Sequence, residues 1–149
     1  MVAKKISGSG GELFFSAGNI TWGGVNFGFC GNFPKALIRL YQVPVESLKQ
    51  SSQLNYHRQG MLVQFIAKNR IYSSNCSYKV SFNLTRNERF IYNNYKNQNR
   101  IGIYWFNNKE KNWETCLKVT FDDQQGLYGR MSCETNNTGY FALGWPNSD

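Results

Sequence analysis

The chain has 149 residues and a net charge of +8, from 17 basic and 9 acidic side chains. This length is enough for one domain with its own hydrophobic core, and no segment approaches the run of about eighteen apolar residues that a membrane span needs. The basic residues form no continuous run, which argues against a nucleic-acid-binding patch and favours a solvated basic surface.

Residues 1–11 are basic and then rich in glycine and serine, which predicts a flexible leader. Residues 12–149 are predicted to form a single domain. Its first half contains short segments rich in β-branched and aromatic residues, separated by turn-forming residues. The strands predicted there cover residues 12–16, 20–22, 36–41, 61–67 and 78–85. The glycine-rich stretch 25–33 is predicted to allow bulges or close backbone approach.

The segment 78–85 has the clearest alternation of apolar and polar residues in the chain. Successive side chains of a strand point to opposite faces, so this alternation predicts one buried and one solvated face. The buried face is expected to carry Tyr78, Val80, Phe82 and Leu84. Asn83, on the other face, is therefore expected to lie in solvent.

The last third of the chain is predicted to form the core sheet. A polar loop is expected over residues 86–100, followed by strands at 101–106, 116–121, 127–133 and 139–143. Residues 101–145 hold two of the four cysteines and three of the four tryptophans. With little helix and eight or nine short strands, the pattern predicts an all-β fold, an antiparallel β-sandwich stapled by disulfides.

Four cysteines allow three disulfide pairings. Cys116 and Cys133 flank one predicted hairpin and are expected to pair, which leaves Cys30 with Cys76 by elimination. Four buried free thiols in a cytosolic protein are the alternative. No two cysteines stand in a Cys-x-x-Cys pair and His57 is the sole histidine, so neither a metal site nor a cofactor is predicted.

Asn-x-Ser/Thr sequons, the acceptor sites of N-glycosylation, begin at Asn19, Asn75, Asn83 and Asn136. Their number favours a secreted protein. The first residues do not have the apolar stretch of a signal peptide. Either the chain belongs to something larger, or the prediction of secretion is wrong.

Residues that could carry chemistry or bind a ligand are few. His57 has no nucleophile context, and Asp122-Asp123 is better explained as a turn than as a calcium or carboxylate pair. No enzymatic activity is therefore predicted. Exposed aromatic rings could stack on sugars, and the residues considered for this are Trp22, Tyr104, Trp113 and Trp145. Burial of these rings in the sandwich core is the commoner arrangement.

Three features of the last third resemble the membrane-proximal part of the GAIN domain, which carries the GPS motif of adhesion receptors and polycystin-like proteins. They are the Tyr104-Trp105-Phe106 strand, Trp113 shortly before Cys116, and Cys133 shortly before Thr138-Gly139-Tyr140-Phe141-Ala142-Leu143. The resemblance covers about a third of the chain. It implies a disulfide-stapled β-domain of a cell-surface protein.

The sequence departs from that family at several positions. Gly102 and Met131 stand where the family has two further cysteines, which matches the loss of one whole disulfide and the survival of Cys116–Cys133. The His-Leu-Thr cleavage triplet is absent, and Asn136-Asn137-Thr138 stands nearest to it. Self-cleavage needs a basic group beside the threonine hydroxyl, so none is expected at Thr138.

These observations predict a non-catalytic structural or interaction module of a larger extracellular surface protein or filament. Its expected partners are other protein chains or domains, with glycans as a second class. The first alternative is a carbohydrate-binding module that uses the aromatic residues named above. The second is a binder of nucleic acid or another polyanion, whose affinity would fall steeply with salt.

Overall fold

A computed structural model of the chain describes residues 1–6, 10–17, 20–28, 36–43, 54–57, 60–67, 70–72, 77–95 and 101–146. These residues form thirteen β-strands and one α-helix. The strands are β1 (Val2–Ile6), β2 (Gly11–Ala17), β3 (Ile20–Phe27), β4 (Ala36–Val43), β5 (Leu54–His57), β6 (Gly60–Ala67), β7 (Arg70–Tyr72), β8 (Tyr78–Asn83), β9 (Gly102–Asn107), β10 (Asn112–Thr115), β11 (Leu117–Asp122), β12 (Arg130–Thr135) and β13 (Gly139–Pro146). The helix α1 (Arg86–Tyr95) lies between β8 and β9.

The strands form two antiparallel sheets. The larger sheet has the order β1-β4-β6-β13-β9-β10, with the short strands β5 and β7 paired to β13 and β6. The five-stranded sheet has the order β11-β12-β8-β3-β2. The predicted all-β class and antiparallel sandwich are therefore confirmed, although the thirteen strands exceed the expected eight or nine.

Part of the predicted flexible leader is a strand. Val2–Ile6 forms β1 at the edge of the larger sheet and pairs with β4, with Val2 opposite Leu40. Val2 packs against the core, and Lys4 donates a hydrogen bond to the Glu12 carbonyl at 3.2 Å. The prediction is wrong for these residues because pairing with β4 and the packing of Val2 against the core hold this edge strand, and lysines are well tolerated at sheet edges.

The core lies between the two sheets and is rich in aromatic rings. Phe27 of β3 stacks on Tyr78 of β8 at 4.7 Å between ring centroids. Phe65 of β6, in the larger sheet, meets both rings edge-on at 5.2 and 5.3 Å. Full burial of such a side chain contributes about 1.5–3 kcal/mol, so this cluster holds the two sheets together.

Two glycines of β3 allow the central strands of the five-stranded sheet to approach closely. A Cβ atom at Gly24 would lie 2.3 Å from the Leu13 carbonyl oxygen, and one at Gly23 would lie 2.7 Å from that of Ser81. Real Cβ atoms do not come so near to backbone oxygen, so larger residues would push β2 or β8 away. These two glycines directly precede the stretch 25–33 for which close backbone approach was predicted, and at Gly28, within that stretch, a Cβ atom would meet nothing within 4 Å.

The prediction for β8 is correct for the buried face and partly wrong for the other, where Lys79 is exposed but Ser81 and Asn83 are buried. Tyr78, Val80, Phe82 and Leu84 are buried as expected, but Asn83 is only 7% exposed. Its Oδ1 accepts a 2.7 Å hydrogen bond from Arg130 Nε, and the Gly126 turn lies against its amide group. Asn83 is thus covered by the β11–β12 turn and by Arg130, whose guanidinium lies over the Phe14 ring.

The polar loop predicted for residues 86–100 is wrong for Arg86–Tyr95, which form α1. A capping box begins this helix. Glu88 Oε1 accepts a 2.8 Å hydrogen bond from the Thr85 amide, and Thr85 Oγ1 accepts one of 3.3 Å from the Glu88 amide. The Thr-x-x-Glu spacing is a recognised signal for a helix start and could have predicted this one.

The predicted Cys116–Cys133 disulfide is present, with 5.8 Å between the Cα atoms. Cys116 lies between β10 of the larger sheet and β11 of the five-stranded sheet, so the chain crosses between sheets at this residue. Its amide donates a 2.8 Å hydrogen bond to Ile103, and both cysteines are buried. The disulfide therefore ties the crossing to β12. Cys30 and Cys76 lie outside the described residues.

Within the residues that the structure describes, no helix has the length and apolar character needed to cross a membrane.

Candidate binding groove and exposed edge strand

A polar turn shapes the hairpin of β9 and β10. Asn107 Oδ1 accepts hydrogen bonds from the backbone amides of Lys109 and Glu110 at 3.0 and 3.2 Å, and Lys111 takes a φ of 56°. Asn107 Nδ2 also donates a 3.2 Å hydrogen bond to Glu114 Oε2 across the two strands. These contacts fix the position of β10, which forms one wall of a surface groove.

This groove, the hairpin groove, has a volume of about 680 Å³. Its walls come from β9 and β10 on one side and from β11, β12 and the following bend on the other. The residues that line it are Ser77, Trp105, Trp113, Glu114, Thr115, Cys116, Leu117, Lys118, Glu134, Thr135, Asn136 and Asn137. The groove combines indole surface with carboxylate, amide and hydroxyl groups, a mixture that suits a polar ligand with one apolar face.

The two tryptophans of the hairpin groove are held by the fold. Trp105 Nε1 donates a 2.9 Å hydrogen bond to the Thr138 carbonyl. Trp113 packs edge-on against Phe106 with 5.2 Å between centroids and is 9% exposed. Only part of each ring is therefore available to a ligand.

The predicted sugar-stacking residues are mostly buried. Tyr104 is 8% exposed, and burial raises the pKa of its hydroxyl. Trp22 is half-buried and packs against the Phe82 ring at 5.4 Å, inside the sandwich. Trp113 is also buried. These rings thus have the arrangement that the sequence favours as the commoner one, in which packing between and against the sheets takes most of their surface. The side chain of Trp145 is outside the part of the chain that the structure describes.

The four sequons differ in accessibility. Asn136 is exposed, lies in the bend between β12 and β13, and lines the hairpin groove. Asn83 was expected in solvent, and its burial under the Gly126 turn leaves no room for a glycan on its amide in this fold. Asn19 and Asn75 lie outside the described residues.

The acidic residues of the β11–β12 turn act structurally. Asp122 Oδ1 accepts a 2.9 Å hydrogen bond from the Gln124 amide, and Gln124 Nε2 donates to Asp123 Oδ1 at 3.1 Å. The predicted turn at Asp122-Asp123 is confirmed. Among the described residues, no group of three or more His, Cys, Asp or Glu side chains could hold a metal ion. The side chain of His57 lies outside the part of the chain that the structure describes.

Strand β11 is the most exposed strand of the described sheets. It lies at the edge of its sheet, pairs only with β12 among the described strands, and is exposed at every residue except Phe121. Leu117 is 69% exposed and Val119 is 45% exposed. The expectation that residues 116–121 lie in a core sheet is therefore wrong for β11, because no described strand covers it on its outer edge.

The β11 edge also carries an irregularity. The pairing with β12 shifts by one residue between Leu117 and Thr120, and Lys118 has a φ of 51° within this bulge. Bulges redirect side chains at sheet edges. Here Lys118 Nζ lies 3.5 Å from Glu134 Oε2 at the rim of the hairpin groove, with its side chain 77% exposed.

Comparison with known proteins identifies no relative of this chain. No family model, no curated protein and no solved structure matches it. The groove, the exposed edge and the disulfide are therefore the features on which a function can be proposed.

Proposed function

We propose that the chain is a non-catalytic interaction module of a larger extracellular surface protein or filament, and that it binds partner protein through the edge of β11. One observation carries this proposal: β11 has an unpaired edge within the described chain and exposes Leu117 and Val119. The turn after it exposes Leu127 at 80% and Tyr128 at 39%. Exposed apolar side chains grouped along one element are typical of protein interaction surfaces.

The extracellular location is supported by the disulfide and by one accessible sequon. Structural disulfides persist mainly in oxidising compartments, and Asn136 is exposed. Mass spectrometry of protein from its native source, with and without reductant, tests this part of the proposal. We expect a Cys116–Cys133 disulfide-linked peptide and a glycan at Asn136. Free thiols at both cysteines together with an unmodified Asn136 would argue against an extracellular location.

The binding surface can be tested by crosslinking, because β11 supplies its own reactive amine. Lys118 is 77% exposed, and an amine-reactive crosslinker applied to the native source should join it to another polypeptide. Lys109 and Lys111, on the exposed β9–β10 turn, serve as internal controls. Crosslinks from Lys118 that stay within one chain would contradict the proposal.

A matched pair of variants shows whether the apolar edge is responsible. Val119→Asp places a charge on the edge and should abolish the Lys118 crosslinks. Phe90→Asp makes the same kind of change at a residue of α1 that is 66% exposed, and should leave them intact. Equal losses in both variants would indicate that general surface charge, and not the edge, controls association.

The hairpin groove favours carbohydrate binding as a second function. Its indole edges from Trp105 and Trp113 lie beside Glu114, Glu134 and Asn136, and such groups can hydrogen-bond sugar hydroxyls. A glycan array tests it, with Glu134→Gln as the groove variant and Glu12→Gln, at the opposite edge of the same sheet, as the control. No binding by the unaltered protein would exclude this function for the glycans on the array.

The resemblance to the GAIN domain fits the proposed place in a larger extracellular surface protein. The Cys116–Cys133 pair and the β13 strand after it, Gly139–Pro146, are the features that support it. Sequencing of the full native gene product is the test. A membrane span shortly after the equivalent of Asp149 would support a membrane-proximal module, and a long unrelated domain there would argue against it.

A further inference from the structure

We infer that the protein partner at the β11 edge is a second copy of this chain, joined by antiparallel pairing of the two β11 strands about a two-fold axis. This inference rests on the proposed function and adds the identity of the partner. Isologous pairing requires a surface that is complementary to itself. The charges and apolar residues of β11 meet this requirement in one register.

That register places Thr120 of one copy opposite Thr120 of the other. Lys118 then lies opposite Asp122 of the second copy, and the symmetry makes this pair twice. Val119 lies opposite Phe121 of the second copy, also twice. Opposite charges, apolar pairs and threonine pairs are all favourable across antiparallel strands. The five strands of each copy would form one continuous sheet of ten.

The exposure of these residues in one copy agrees with this arrangement. Val119 is 45% exposed, Thr120 is exposed and Phe121 is half-buried, so each has surface left to cover. Lys118 is 77% exposed, and its ion pair with Glu134 at 3.5 Å contributes little because it lies in solvent. Lys118 can therefore turn to a second carboxylate at small cost.

The bulge and Lys118 limit the edge to this register. Lysines and bulges are the devices by which proteins prevent indiscriminate pairing of sheet edges. Both occur at the Leu117 end of β11, whereas the segment from Thr120 to Asp122 keeps regular pairing with β12. A shift by two residues, the smallest that keeps the two-fold axis, would place Lys118 opposite Thr120 or Gln124 and remove both charge pairs. Charge on the edge thus discriminates against the wrong alignments.

The inferred pairing rests on β11 alone. The turn that carries the exposed Leu127 and Tyr128 lies toward β8 and α1, since Gly126 lies against Asn83 and Arg89 donates a hydrogen bond to the Tyr128 carbonyl. The net charge of +8 on each copy opposes association, and salt of physiological strength, with a screening length of about 8 Å, reduces that repulsion.

Sedimentation equilibrium of the full chain at physiological salt, from micromolar to millimolar concentration, tests the inference with charge-reversal variants. We expect the unaltered chain to form dimers. Lys118→Asp and Asp122→Lys each create two like-charge pairs and should raise the dimer dissociation constant at least about tenfold. An equimolar mixture of the two variants restores opposite charges at every pair and should form heterodimers as tightly as the unaltered chain.

Lys109→Asp and Glu110→Lys are the matched controls, because they make the same charge changes on the exposed β9–β10 turn. They should dimerise like the unaltered chain, and circular dichroism should show all four variants folded. A monomer at every concentration, unaffected single variants, or a mixture that stays monomeric would each overturn the inference. If the Lys118 crosslinks then lead to a different polypeptide, the proposed interaction function stands and only the second copy is excluded.

Discussion

The two consecutive hairpins on either side of Cys116 have similar strand-forming sequences but opposite environments. In the first, β9 lies between β13 and β10, and Ile103 and Phe106 are buried. In the second, β11 pairs with β12 alone among the described strands and is exposed along almost its whole length. Position within a sheet, more than composition, therefore decides which hairpin stabilises the domain and which one offers a surface to a partner.

The largest expected effect is in the first hairpin. Phe106 is 4% exposed and packs against Trp113, so Phe106→Ala should lower the free energy of unfolding by about 3–5 kcal/mol through lost burial and a cavity. The matched change in the second hairpin, Val119→Ala, should stay within about 0.5 kcal/mol. Urea denaturation measures both. Similar losses in the two variants would mean that β11 is buried in solution.

Removal of the disulfide that closes the second hairpin should have the next largest effect. Cys116 and Cys133 are 17 positions apart, and closing a loop of that size stabilises a domain by about 3 kcal/mol through restriction of the unfolded chain. Cys116→Ser combined with Cys133→Ser should therefore lower the melting temperature by several degrees while the aromatic core keeps the fold. If the double variant and the unaltered chain have the same melting temperature under oxidising conditions, the disulfide does not contribute to stability as proposed.

A smaller effect is expected at alkaline pH, and of the two hairpins it concerns the first. Burial raises the pKa of Tyr104 above its ordinary value, so the folded state keeps the phenol neutral where the unfolded state would ionise it. This contribution to stability is complete below pH of about 10 and is lost as the pH rises through the folded-state pKa. Tyr104→Phe should flatten the decline, as measured by urea unfolding across that range.

A second variant shows whether the alkaline decline belongs to burial. Tyr78 is buried and its pKa is also raised by burial, so Tyr78→Phe should reduce the decline as Tyr104→Phe does. A decline that is unchanged in both variants would assign it to another group.

The sequence predicts this fold well where a pattern is local. The alternation in β8 identified the buried Phe82 face, and cysteine positions around one hairpin predicted the disulfide. What it missed depends on distant contacts. Asn83 is buried because Arg130 and the Gly126 turn contact it, and both lie 43 or more positions away in the sequence. A local sequence pattern carries no information about such distant contacts.

The binding surfaces were harder to predict than the fold, for the same reason. An aromatic residue in a strand has the same local signal whether its ring is covered or open, so the sequence left both burial and ligand stacking open for Tyr104 and Trp113. The exposure of β11 follows from its place at the end of the strand order, which is set by pairing among all strands of the sheet. In contrast, the α1 capping box at Thr85 and Glu88 was a local signal that could have been used.

The smallest expected effect concerns one lysine in each hairpin. Lys111, in the β9–β10 turn, and Lys118, in the β11 bulge, have φ angles of 56° and 51°, a left-handed conformation that costs a residue with a Cβ atom about 1–2 kcal/mol. Glycine removes this cost but loses more conformational entropy on folding, by about 0.5–1 kcal/mol. Lys111→Gly and Lys118→Gly should therefore each raise the free energy of unfolding slightly, by up to about 1 kcal/mol.

The two glycine variants separate structure from binding. Both should gain a similar increment in urea denaturation, since both relieve the same backbone conformation. Only Lys118→Gly removes a charge from the β11 edge, so it alone should weaken the dimer that β11 is inferred to form. A gain in stability together with weaker dimerisation would show that Lys118 is kept in a costly conformation for binding. If Lys118→Gly destabilises the monomer, the bulge does not strain the chain at this residue.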